Sequence, residues 1–276
     1  MSAPATRRAA FRKLHQSGCF VIPNPWDRGS AVYLAQLGFP ALATSSAGFA
    51  FSRALPDAPW ALDRAAVLAH VADVVAATPL PVNADFQSGY APDPDGVAES
   101  VRLCVETGVA GLSIEDATGE PARPLYDLRQ AVERIQAARS AIDATQSDVL
   151  LTARAECFLT GHASPLEESL RRLRAYAEAG ADVLYAPGVR ARDAIRTMVE
   201  AVAPKPVNVL VSGPGLRVED LAALGVRRVS VGSALARVAW TALMAAAREI
   251  AEAGTFERFD GLVTTGALSK LFGTVP

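Results

Sequence analysis

Three ionisable residues recur at comparable places in successive segments: Asp85 in PVNADFQSG, Glu115 in AGLSIED and Arg154 in VLLTARAE. Each closes a short apolar run of the kind that forms a buried parallel strand. If those runs are neighbours, two acids and an arginine converge at one end of the fold. Oxygen donors without His or Cys suit a hard cation, Mg2+ or Mn2+, held partly through water. A guanidinium beside them offers a bidentate grip for a carboxylate. The small residues Ser45, Ser46, Ala47 and Gly48, after another apolar run, let backbone N–H groups approach an anionic oxygen. The implied chemistry is capture of a small, anionic, oxygen-rich substrate on a metal. The same three ionisable residues could instead form a buried salt-bridge network closing that end of the fold, and spacing alone leaves both readings open.

Eight apolar runs supply the positions. They begin near Cys19, Pro40, Pro81, Ala110, Val149, Asp182, Pro206 and Arg227, about 30 residues apart, the length of a βα unit. Helical signals fill the gaps, as in Asp63 to Ala77, Pro94 to Thr107, Asp127 to Ile142 and Pro165 to Ala179. Eight such units without a linker predict an α/β fold, a (β/α)8 TIM barrel over residues 1–254. A doubly wound sheet is the alternative, but no GxGxxG follows the first run. In a barrel the C-terminal ends of strands face the active site. Those ends carry Asn24 to Asp27, Thr44 to Gly48, Asp85, Glu115-Asp116, Arg154 with Glu156, Tyr185, Asn208 and Gly232-Ser233. Residues 255–276 form an extension with the apolar clusters Phe256-Phe259-Leu262-Val263 and Leu268-Leu271-Phe272. Such a segment has to be buried on its own barrel or on a neighbour, which predicts a homo-oligomer.

Composition narrows the partners. The formal charge of −2 over 276 residues gives no electrostatic reason to bind nucleic acid or an anionic membrane. No run is apolar enough to span a bilayer, and the reading is a cytoplasmic protein. The Arg-rich start, MSAPATRRAAFRKLHQSG, faintly resembles a transit peptide but lacks an apolar signal core, and it reads as a leading helix. Cys19, Cys104 and Cys157 are too few and too scattered for a disulfide framework or a zinc site. His15, His70 and His162 stand alone; His70 reads as packing and His162 as a surface loop residue. The SGPG at residues 212–215 lacks the lysine of a phosphate loop and reads as a turn.

Taken together, NPWDRGSA (24–31), TSSAGFAFSRALPD (44–57), PVNADFQSGY (81–90), AGLSIED (110–116), LLTARAECFL (150–159) and PVNVL (206–210) resemble the isocitrate lyase/phosphoenolpyruvate mutase superfamily over nearly the whole chain. The resemblance implies a (β/α)8 barrel, usually tetrameric, with a C-terminal helix exchanged between subunits. It also implies Mg2+-dependent making or breaking of a C–C or P–C bond beside a 2-oxo acid. By the same resemblance Asp85 is the direct metal ligand, Glu115 an acid holding a metal-bound water, and Asp57 a further acid close by. Ser45, Ser46 and Ala47 would hold the substrate's carboxylate and enolate end, Arg154 would anchor the oxo acid, and Trp26 and Asn208 would form walls. Two departures stand out. Gln87 replaces the usual second acid after strand three, and the loop EDATGEPARPLYD (115–127) carries neither the Lys-x-Cys-Gly-His of isocitrate-type lyases nor the lysine pair of phosphonopyruvate-handling members, with Ala117 where a lysine would be.

The expected activity is therefore a Mg2+-dependent lyase acting on a small 2-oxo or 2-hydroxy di- or tricarboxylate through a metal-chelated enolate, by C–C cleavage or decarboxylation. With no cysteine acid in the loop, decarboxylation is the easier of the two to support. A phosphoenolpyruvate mutase or phosphonopyruvate hydrolase, and a 2-oxo acid binding protein without turnover, are the alternatives.

Overall fold

The computed structural model describes residues 3–273. Its barrel strands are β1 (Phe20–Ile22), β2 (Leu42–Ala43), β3 (Val82–Asp85) and β4 (Gly111–Glu115). After a hairpin of β5 (Ala117–Glu120) and β6 (Arg123–Leu125) come β7 (Leu150–Arg154), β8 (Val183–Tyr185), β9 (Val207–Leu210) and β10 (Arg228–Ser230). The eight parallel strands run in the order β1-β10-β9-β8-β7-β4-β3-β2 and coincide with the eight apolar runs, so the chain folds as the expected (β/α)8 barrel. The hairpin is a correction. The segment after β4 reads as a plain loop, yet Ala117 pairs with Leu125 and Glu120 with Arg123 in an antiparallel ribbon. Its residues are mostly exposed, so hydrophobic alternation could not reveal it.

The helices are α1 (Ala3–Leu14), α2 (Arg28–Gln36), α3 (Ser46–Ser52), α4 (Arg64–Ala76), α5 (Pro94–Glu106), α6 (Leu128–Ala144), α7 (Pro165–Glu178), α8 (Arg192–Val202), α9 (Val218–Ala223), α10 (Ala234–Ala253) and α11 (Thr265–Gly273). Asp27, Asp63, Asp93 and Asp127 cap α2, α4, α5 and α6 by accepting a backbone N–H three residues on. Helix α1 plugs the N-terminal end of the barrel. Its Phe11 is fully buried in one cluster with Phe20, Ile22, Ala43 and Leu150. The fit leaves no room on β4, where a Cβ at Gly111 would lie 2.7 Å from both the Phe11 ring and Asn83 Oδ1.

The barrel is sewn shut where β1 meets β2. Ala43 N–H donates to Pro23 O at 3.0 Å, the one backbone bond recorded across this seam among the described residues. Asn24 reinforces it: its amide donates to Thr44 O at 2.9 Å, while its Oδ1 accepts the Val231 and Gly232 N–H groups at 2.9 and 2.8 Å.

Helix α10 leaves the barrel. Of its 20 residues only Ala236 is buried, and Val238, Leu243 and Met244 are more than half exposed. Exposed apolar groups continue through Phe256, Leu262 and Val263 to Leu268 and Phe272. The end of α11 rests on α2, with Gln36 donating to Leu271 O at 3.1 Å. No helix among the described residues is long and apolar enough to cross a membrane.

His70 on α4 stacks on Phe49 of α3 with ring centroids 3.9 Å apart, and its buried Nε2 has no partner. Burial, against the pull of Asp73 and Asp27, lowers its pKa to about 4. The folded value thus lies below the unfolded one of about 6.5, so the unfolded chain takes up the proton first and stability is lost as pH falls between the two. His70→Phe should gain on the native chain by about 2 kcal/mol between pH 7 and pH 5, as an upper bound. Denaturant titrations of both chains at the two pH values check this; a difference that does not change with pH would contradict it.

Candidate active site

A cavity of about 180 Å3 opens at the C-terminal ends of the strands, lined by Ser45, Ser46, Ala47, Asp57, Asp85 and Arg154 among others. Arg154, the last residue of β7, lies at its centre. It contacts Asp85 of β3 at 2.7 Å, Glu115 of β4 at 3.2 Å and Glu156 at 2.9 Å. One guanidinium thus ties three strand ends together; of this network Asp85 and Arg154 line the cavity, while Glu115 and Glu156 lie outside its lining. The far face of the guanidinium lies 5.2 Å from the ring centroid of Tyr185 on β8.

The other end of Asp85 builds the opposite wall. Its Oδ2 accepts the Ser46 N–H at 2.9 Å and the Ser46 hydroxyl at 2.8 Å. Ser45 caps α3 by accepting Gly48 N–H at 3.1 Å. At this first helical turn the Ala47 N–H has no acceptor within the helix and borders the cavity. Trp26 does not line the cavity; it packs on α3, where a Cβ at Gly48 would come within 2.7 Å of the Trp26 Cβ. Asn208 is also outside the lining, and its amide bridges Ser230 and Arg228 beneath it. Asp57 sits on the exposed rim. Its segment rests on the hairpin at Gly119, whose positive φ and missing side chain leave room for Pro59, 2.7 Å from a would-be Cβ.

The electrostatics are unbalanced. Burial holds Glu115 well above the usual carboxylate range despite Arg154, and lifts Glu156 for the same reason. Burial opposes the charge on Arg154, but Glu156, Glu115 and Asp85 outweigh it and raise its pKa. Partial desolvation and Asp85 raise Asp57, with Arg154 opposing. Three carboxyl groups therefore share one guanidinium, with Asp57 near by. The Tyr90 hydroxyl, buried beside Asp85 and Glu115, has no partner. This donor set, all oxygen with spare negative charge, fits a hard divalent cation, although no group of three or more candidate ligands stands preassembled among the described residues.

The remaining sequence candidates fall away from the cavity. Cys157 is fully buried, its thiol pushed up to about 11 by burial, which leaves it protonated at neutral pH. His162 accepts Ser164 N–H at 3.2 Å in an exposed turn. Asp116 turns away from the cavity to Arg172 at 3.0 Å and to the Tyr176 hydroxyl at 2.6 Å, while it accepts the Glu156 N–H at 2.8 Å and so steadies Glu156. Sequence reasoning missed Arg228, Asn83, Ser113 and Ser230 in the cavity lining. Strand alternation was the available signal, because Arg228 and Ser230 share the inward face of β10.

Comparison with known proteins agrees with this geometry. A family profile described as phosphoenolpyruvate phosphomutase matches residues 11–251. A crystal structure from Burkholderia cenocepacia J2315, assigned provisionally as a lyase/mutase, superposes with a TM-score of 0.94 at 48% identity, covering 99% of this chain and 98% of the other. The 2,3-dimethylmalate lyase structure, described as a PEP mutase/isocitrate lyase superfamily member, gives 0.85 at 26% identity over 99% and 95%. The oxaloacetate decarboxylase of Paraburkholderia xenovorans is 30% identical over 84% of this chain and 77% of its own.

Removing Arg154 while keeping its bulk should expose the imbalance. Arg154→Met leaves Glu115 and Glu156 buried without a cation and is expected to cost about 3–5 kcal/mol at pH 7. The deficit should shrink towards pH 5, because a carboxyl whose folded pKa is raised is relieved by protonation as pH falls. Denaturant melts at both pH values decide; an equal deficit at each would mean that the acids are not the source of the loss.

Proposed function

This chain belongs to the phosphoenolpyruvate phosphomutase family within the PEP mutase/isocitrate lyase superfamily, and from that premise we propose that it is a Mg2+- or Mn2+-dependent lyase for a small 2-oxo dicarboxylate, working by decarboxylation or C–C cleavage. The observation that carries this reading is the cavity's make-up. Acids and a guanidinium meet the first turn of a helix there, and no Cys, His or Lys is among the described residues that line it.

Asp85 would hold the cation directly and Glu115 through water; when bound, the cation supplies a Lewis acid for the substrate's oxo oxygen. Asp85 would then be shared between the cation and Arg154, and the guanidinium would offer its remaining donors to a substrate carboxylate. The Ala47 N–H, which has no acceptor within the helix, would face the oxygen on which negative charge grows, while the Ser46 hydroxyl, donated to Asp85, would keep that carboxylate in place. Departure of carbon dioxide needs no base, so the cavity's lack of a thiol or imidazole favours decarboxylation. Asp57, whose raised pKa supports the role, would return a proton to carbon.

Phosphonopyruvate chemistry is the second reading, favoured by the family profile. Against it, Ala117 opens a short strand where phosphonopyruvate-handling members carry a lysine. Oxaloacetate, isocitrate, methylisocitrate and phosphonopyruvate, each incubated with and without Mg2+ and followed by 13C and 31P NMR, separate the possibilities. Oxaloacetate should give pyruvate and carbon dioxide, and chelation of Mg2+ should abolish the reaction. Consumption of phosphonopyruvate alone would replace the lyase reading. Calorimetric binding of a 2-oxo acid without turnover of any of the four would identify a binding protein.

The same reading extends to assembly as a dimer or tetramer, in which the extension 255–276, of which 274–276 lie outside the described residues, is exchanged between subunits. The exposed apolar side chains of α10 and α11 support it, each worth about 1.5–3 kcal/mol if buried. A chain ending at Gly254 should shrink by at least half in molar mass or precipitate. Unchanged mass by light scattering, with full solubility, would remove the tail from the interface.

A further inference from the structure

The cavity has a second arginine, and it is the one without an acid. Arg228 opens β10 at the deep end of the barrel and is only 3% exposed, yet it lines the cavity whose mouth holds Arg154. Its partners are all neutral. Nε donates to Asn208 Oδ1 at 2.9 Å, one terminal nitrogen donates to Thr152 Oγ1 at 3.0 Å, and the other lies 3.4 Å from His15 Nε2. His15 Nδ1 is 2.8 Å from Phe11 O, which can only accept, so Nε2 is the acceptor face of a neutral ring. Burial and the nearby guanidinium lower the imidazole pKa to about 3. Burial lowers Arg228 itself to about 10, so it keeps its charge at neutral pH.

Of the other buried arginines among the described residues, Arg172 has Asp116 and Glu168, while Arg134 has neutral partners too, the carbonyls of Ser88, Ala91 and Pro92, but does not line the cavity. The buried acids are committed elsewhere, Glu115 and Glu156 to Arg154 and Asp116 to Arg172. A buried charge without a counter-ion is strongly disfavoured unless something supplies one. The open space that meets Arg228 is the cavity. Arg154 at the mouth already contacts three carboxylates, so Arg228 is the guanidinium of the cavity without an acidic partner.

We propose that Arg228 anchors the second acid group of a dicarboxylate substrate, drawing it down the barrel axis while the reacting 2-oxo end stays with Asp85, Arg154 and α3. This deepens the reading above and rests on its premise of a small 2-oxo dicarboxylate substrate; it assigns the second acid group its partner. Tyr185 joins the two levels, with its ring on Arg154 and its hydroxyl bonded to Ser230.

The test uses unreactive pairs matched in carbon number, succinate against butyrate and malonate against propionate, titrated calorimetrically into the full chain with Mg2+ present. In at least one pair the dianion should bind ten- to a hundredfold tighter, the span of one charge-assisted bond. Arg228→Met should abolish that preference and leave the monocarboxylate affinity within about threefold. Equal affinities within both pairs for the native chain, or a preference that survives Arg228→Met, would overturn the proposal. Should the variant not fold, a crystal structure of the native chain with the tighter dianion decides. A carboxylate on the Arg228 guanidinium supports the assignment, and both carboxylates elsewhere refute it. Binding preference needs no turnover, so failure of the lyase reading in the NMR assay and failure of this proposal are told apart.

Discussion

One guanidinium faces three carboxyl groups, with a fourth near by, and the upper half of this barrel is organised around that imbalance. Arg154 alone holds Asp85, Glu115 and Glu156 together, although burial works against the charges of Arg154, Glu115 and Glu156. Its grip on Asp85 also places α3, because the same carboxylate takes the N–H and hydroxyl of Ser46. Glu156 is steadied in turn through Asp116, Arg172 and Tyr176. An excess of buried negative charge costs stability. A divalent cation would offset it, so the cost of this arrangement and the metal binding proposed for it would have one origin.

Lower in the barrel the sign reverses. Asn208 and Thr152 form a neutral polar layer around the positive Arg228, above the apolar plug of Phe11, Phe20 and Leu150. The cavity therefore runs from an acidic mouth to a basic floor. A molecule with an electron-rich 2-oxo end for a metal and an acid group at its far end matches both poles, whereas a monocarboxylate matches one.

Much of this was legible from residues alone, for identifiable reasons. Buried parallel strands are continuous apolar runs bounded by Gly, Pro or Asp, and all eight could be read from such runs. Asp85, Glu115 and Arg154 stood out because each is a charge at the end of a run that otherwise excludes charge. What escaped notice obeys weaker rules. The β5–β6 hairpin is mostly exposed and has no apolar face to betray it. Helix α3 hides in a stretch of Ser, Ala and Gly whose helicity depends on the Ser45 cap and on Asp85, which is 39 residues from Ser46. Arg228 begins its strand beside another arginine, where a charge looks like the solvated edge of a run. Only the closed barrel turns it inward, and Trp26 and Asn208 likewise support their neighbours in place of lining the cavity.

The Asn24 clasp has a consequence for how the molecule comes into being. Its side chain joins the end of β1 to residues 207 and 208 positions further along the chain, and to Thr44 on its other side. Most strand pairings here join segments about 30 residues apart and can form as the chain emerges from the ribosome, but the contacts across β1 wait for β10. Until then the cavity lacks its floor, since Arg228 is part of that last strand, and a nascent chain stopped short of β10 would hold Asp85, Glu115 and Arg154 around an open cleft. Vectorial synthesis thus makes ring closure and completion of the binding pocket a single late event.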